Sequence, residues 1–271
     1  MKPSIFKIIA LIFFSIFTIQ LSAQKFQGKA YYFSKSKMEL GNWGARMSEA
    51  QKKQMQNRLK DRLEKKYILN FNMQESTFLE EDKIDAISGA TDSWGGYFSR
   101  GDLHKNIKEN KLVQSQEFYG KRFLVKDKLV NIEWSLGTET KKIGNYTCYK
   151  AAAMVPKSEL NWFDFSWNDL RQNSDKTKNI EEPMIVIEAW YTPQIPVAQG
   201  PAEYWGLPGL ILEVSAGNTT LLCSEIILNP KEKVNITAPD KGENITKKGY
   251  TSNIRKKMVE MRNNRMGRRS R

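Results

Sequence analysis

The chain has 271 residues, 40% hydrophobic and 27% charged, a globular composition long enough to bury a core. One histidine and two cysteines exclude a multi-histidine metal centre, a zinc ribbon and an iron–sulfur cluster. No P-loop, dinucleotide fingerprint or zinc-protease helix motif occurs, so neither a metal nor a cofactor is expected.

Two lysines in Met1–Lys7 precede an apolar run from Ile8 to Ile19 and the small residues that end at Ala23. This is the pattern of a secretory signal peptide, 1–23, cleaved after Ala23. The run is shorter than the roughly 20 residues of a membrane-spanning helix. The expectation is an exported protein, periplasmic, outer-membrane-associated or secreted; an uncleaved anchor is the alternative.

The formal net charge is +13, and loss of Lys2 and Lys7 with the signal leaves +11. Residues 241–271 carry +9 of this, so the body, 24–240, is nearly neutral. The sequence reads as one β-rich domain over 24–240 and a basic tail, flexible or helical, over 241–271. Arg255, Lys256, Lys257, Arg262, Arg265, Arg268 and Arg269 are candidate contacts to an anionic membrane, a polysaccharide or an acidic envelope protein. Export argues against nucleic acid. A solvated end that aids solubility is the alternative.

Along the body, strands are expected at Phe26–Phe33, Tyr67–Met73, Thr77–Glu80, Leu112–Tyr119, Arg122–Lys126, Leu129–Trp134, Tyr146–Val155, Met184–Thr192, Leu210–Ser215 and Thr219–Leu228. Tyr67, Leu69, Phe71 and Met73 alternate onto one face. Gly120, Gly137, Gly144 and Gly217 mark turns. One helix is expected from a Ser48–Gln51 capping box through Lys66, with Met47, Met55, Leu59 and Leu63 on a narrow apolar stripe. The fold class is therefore mainly β (β-rich α+β): a curved antiparallel sheet or partly closed barrel, with one amphipathic helix packed on it.

Cys148 and Cys223 lie on different expected strands, and export makes them a disulfide candidate; two separate buried thiols are the alternative. His104, among polar neighbours, reads as a surface imidazole. Glu80, Glu81, Asp82 and Asp85 read as a solvated turn rather than an acid–base cluster. Trp94, Tyr97, Trp162, Phe165, Trp167, Trp190, Tyr204 and Trp205 either plug the end of the sheet or form the lip of an apolar ligand site.

The most specific segment is Gly200-Pro201-Ala-Glu203-Tyr204-Trp205 followed by Gly206-Leu207-Pro208-Gly209-Leu210-Ile211. Pro208-Gly209 suits the centre of a type II turn, after which Leu210, Leu212 and Val214 face one side of a strand. The hexapeptide resembles the signature of the GLPGLI family of exported bacterial proteins. Ile132–Ala151 and Ala189–Pro201 resemble the blocks that precede it, and the likeness runs from about Phe26 to Leu228. It implies export and a shared β-rich fold, and brings no biochemical activity with it. The leading functional expectation is a non-enzymatic envelope protein binding an apolar ligand or a partner segment. The alternatives are an interaction or assembly protein that docks through its basic tail and a sheet edge, and a hydrolase using carboxylates or a serine–lysine pair.

Overall fold

The computed structural model describes residues 26–37, 46–58, 60–81, 100–163 and 182–269. Twelve strands form one open sheet in the order β12-β6-β5-β4-β3-β2-β1-β11-β10-β9-β8-β7. The order is two meanders joined in the middle. β1 (Gln27–Ser36), β2 (Glu64–Asn72), β3 (Glu75–Glu80), β4 (Leu103–Asn106), β5 (Lys111–Phe118) and β6 (Lys121–Asp127) pair in sequence. So do β7 (Ser135–Ile143), β8 (Tyr146–Pro156), β9 (Met184–Thr192), β10 (Leu210–Ala216) and β11 (Thr219–Leu228). β11 then returns antiparallel to β1, Gly28 facing Leu228 and Ser36 facing Thr219. Only β12 (Glu243–Ile245) runs parallel to its neighbour, β6, which makes the sheet mixed at that edge.

Hairpin chemistry explains the meanders. Tyr119 and Gly120 both take positive φ between β5 and β6, as a tight two-residue turn requires. Tyr67, Leu69 and Phe71 share the buried face of β2, as alternation predicts. Met73 lies beyond the strand end and is exposed.

The expected helix is shorter than its pattern. Ser48 and Gln51 do form a reciprocal capping box, each backbone amide donating to the other side chain, at 2.9 and 3.2 Å. The helix then runs as α1 (Glu49–Arg58) and α2 (Lys60–Leu63), and Glu64 already belongs to β2, where cross-strand pairing takes over. Met47, Met55 and Leu63 are only half-buried, so the stripe makes a minor contribution to the core; the side chain of Leu59 lies outside the described residues.

Three further expectations change. Residues 129–134 are not a strand: Leu129 and Val130 are buried in an irregular segment leading to β7. Pro208-Gly209 is not a type II turn. The amide of Gly209 donates to the carbonyl of Leu207 at 2.8 Å, a three-residue turn centred on Pro208, whose ring fixes the φ that turn needs. In β10, a register shift between Ile211 and Glu213 breaks alternation, so Leu210, Ile211, Leu212 and Val214 are all buried.

The core is closed by a connection rather than by strand pairing. Residues 193–209, between β9 and β10, bury Ile195, Val197, Gln199, Ala202, Glu203, Tyr204 and Leu207. This loop belongs to the second meander and reaches β3 and β4 of the first. Tyr32 on β1 adds a buried hydrogen bond to the carbonyl of Ile211 at 2.5 Å. A second, smaller core joins Phe118, Phe123 and Val125 to Trp162 and Phe163, near α3 (Lys157–Leu160), and to Tyr250, Ile254 and Met258 of α4 (Lys247–Arg269).

Candidate functional site

The inner face of β3–β5 is unusually polar. Cross-strand register places Ser76 opposite Lys105 and Leu103 opposite Gln114, and period-2 alternation puts Gln116 on the same side. Loop 193–209 covers this face. The fully buried ammonium of Lys105 donates to the carbonyls of Gly200 at 2.7 Å and Tyr204 at 2.9 Å. Ser76 Oγ donates to Gln199 Oε1 at 2.8 Å. The Arg100 guanidinium binds the buried carboxylate of Glu203 and stacks 5.1 Å from the Phe163 ring centroid.

Electrostatics follow from burial and these partners. Burial pushes the Lys105 amine down to about 7, against the attraction of Glu203. Burial also works against the Arg100 cation, but the Glu203 carboxylate outweighs it and holds its pKa up. Tyr67 is pushed up to about 12 by burial and then by Glu80, and Tyr204 is raised by burial and then by Glu203. Both phenols are therefore neutral near pH 7.

Indole hydrogen bonds fasten the other end of the loop. Trp134 Nε1 donates to the carbonyl of Trp205 at 2.8 Å, and Trp205 Nε1 donates to the carbonyl of Val130 at 2.9 Å. Gly206 between them has φ +94°, which glycine adopts without strain. A Cβ on Gly209 would lie 2.2 Å from the carbonyl oxygen of Thr192, so only glycine fits where the loop re-enters the sheet. The hexapeptide Gly206–Ile211 thus shapes the loop end that the indoles fasten, just after the stretch that Lys105 and Arg100 hold.

Chemically, this cluster is a clamp. Ser76 and Lys105 face one another across two strands, the arrangement of a serine–lysine pair. Each is instead committed to a loop acceptor, and both are fully buried. Among the described residues no group of three His, Cys, Asp or Glu side chains could hold a metal.

The aromatic residues are distributed differently from a lip. Trp162 and Tyr204 are buried, Trp205 is half-buried and bonded at its nitrogen, and Trp190 is half-buried with Lys141 Nζ 4.3 Å from its ring centroid. These four serve packing; Trp94, Tyr97, Phe165 and Trp167 lie outside the described residues, as do the proposed signal residues, Asp82 and Asp85. Cys148 and Cys223 are free buried thiols, which corrects the disulfide expectation. They sit on β8 and β11, with β9 and β10 between them in the sheet order. His104 is buried as well, not a surface imidazole: β4 sits inside the sheet, and burial lowers its pKa against the opposing pull of Glu75 and Glu109.

The basic segment is built into the fold. β12 pairs with β6, and α4 packs Tyr250, Ile254 and Met258 into the second core. Arg255, Lys256, Lys257 and Arg262 are exposed on it; the side chains of Arg265, Arg268 and Arg269 lie outside the described residues. No helix among the described residues is long and apolar enough to cross a membrane.

The profile of a protein family of unknown function, Porph_ging, matches residues 134–213, from Trp134 through the hexapeptide to Glu213. No curated protein matches the chain. Two solved structures of PNGF-II, in C2 and P21 space groups, are similar at 15% identity and TM-score 0.45. The matches cover 84% and 81% of this chain, which spans less than a third of the length of those proteins (32% and 31%).

Proposed function

We propose that the protein is an exported, non-enzymatic component of the cell envelope, related to the GLPGLI proteins, that works by docking on an anionic surface through its C-terminal helix. The observation that carries this reading is the division of α4 into two faces. Tyr250, Ile254 and Met258 are spent on the second core, while Lys248, Arg255, Lys256, Lys257 and Arg262 are exposed. A basic helix anchored in this way presents its charge from a rigid frame, at less ordering cost than a free tail. The signal-like residues 1–23 support export, with a mature domain from about Gln24.

The apolar-ligand reading has less support, because Trp162, Tyr204 and Trp205 of the expected lip are occupied within the fold. The test is retention of the full mature chain on anionic and on neutral matrices across a salt series. Retention on the anionic matrix alone, lost as salt rises and weakened when Lys248, Arg255, Lys256, Lys257 and Arg262 become Gln, is expected. Equal retention on both matrices overturns the reading.

A further inference from the structure

The exposed cations of α4 are not scattered evenly. Lys248, Arg255 and Arg262 are spaced seven residues apart, close to two full turns, so they form one row along a flank of the helix at intervals of about 10.5 Å. All three are exposed. The buried stripe, Tyr250, Ile254 and Met258, lies about a quarter to a third of a turn away. Glu260, the one acidic residue of the helix, falls on the other flank.

We propose that this row is a binding track for a linear acidic polysaccharide: an extended chain carrying carboxylates at regular intervals, lying along the helix axis. The proposal rests on the anion-docking reading above and names its partner. Two observations favour a polymer over a bilayer. The apolar face of α4 is consumed by Phe118, Phe123, Val125, Trp162 and Phe163, so none of it remains to enter a lipid interface. A flat surface meeting the solvent side of the helix would also meet Glu260, whereas a chain lying in the row avoids that charge. Carboxylates two or three sugar units apart can pair with Lys248, Arg255 and Arg262 while the intervening sugars bridge the intervals.

The test compares two variants of the mature chain that lose equal charge from exposed positions: K248Q/R255Q/R262Q, which empties the row, and K231Q/K233Q/K241Q, which leaves the helix intact. Circular dichroism and thermal melting confirm that both retain the fold. The probes are polygalacturonate and vesicles of phosphatidylglycerol and phosphatidylcholine at low salt. The row variant should bind polygalacturonate about tenfold or more weakly than the parent, and the control variant within about threefold of it. Equal losses in the two variants overturn the track, because charge alone would then suffice. Binding to vesicles but not to polygalacturonate overturns the track and keeps the docking reading. Binding to neither overturns both.

Discussion

Lys105 on β4 donates to the carbonyl of Gly200, 95 residues later in the chain, at 2.7 Å. That bond, its companion to Tyr204 and the Arg100–Glu203 pair tie a loop of the second meander to the first. An open sheet whose two halves pair only through β1 and β11 gains a further connection between them in this way.

Replacing Lys105 by Met should therefore destabilise the protein. The substitution relieves a buried cation, but it leaves two buried carbonyls without a donor, and the second effect wins. A loss of about 2–4 kcal/mol in urea unfolding is expected. Glu203→Gln should cost at least as much, because it leaves both Arg100 and Lys105 without their counter-charge. A Lys105→Met protein as stable as the parent would show that the clamp is dispensable.

The same lysine sets a pH dependence. Its amine sits at about 7 in the fold against an ordinary 10.5, so between these values the unfolded chain binds more protons. Stability relative to Lys105→Met should rise with pH across that window and fall away as pH drops through about 7. Parallel unfolding curves for the two proteins from pH 6 to 10 check this, and a constant difference contradicts it.

Gly209 and Gly217 offer a matched pair. Both take positive φ, but a Cβ on Gly217 meets nothing within 4 Å, whereas one on Gly209 strikes the Thr192 carbonyl. Gly217→Ala should cost about 1 kcal/mol, the left-handed backbone penalty alone. Gly209→Ala should cost several times that, because backbone must move. Calorimetric melting of the two variants measures the contrast.

Burial pushes the Cys148 thiol up to about 11 and the Cys223 thiol up to about 12, so neither supplies thiolate at neutral pH. Both should resist a thiol reagent in the native protein and react fully on unfolding. Two thiols titrated after denaturation without reductant is the expected count; none would mean that they had been joined.

The legible part of the fold is the part with a local signal. Met184–Thr192 and Thr219–Leu228 are strands over the bounds that their apolar and β-branched residues suggest. β7 carries no such pattern because Ser135–Ile143 is a sheet edge with no buried side chain, so its Gly, Thr and Lys residues had nothing to alternate against. β4 was hidden for the opposite reason. Its His104 and Lys105 look like surface residues, and only loop 193–209, almost a hundred residues away, makes the burial of Lys105 tolerable. The hexapeptide was conspicuous as a chain-shaping element. Nothing local announced that Glu203, just before it, would meet Arg100. In the basic segment, Tyr250, Ile254 and Met258 recur every four residues, a helix signal that the surrounding charge obscures.

The measurement that bears most directly on the docking account is hydrogen–deuterium exchange of the mature chain with and without polygalacturonate. Added protection confined to the segment from Lys248 to Arg262, and lost at high salt, is the predicted result. Protection over loop 193–209 or the β7 edge instead, with the helix unchanged, would contradict it.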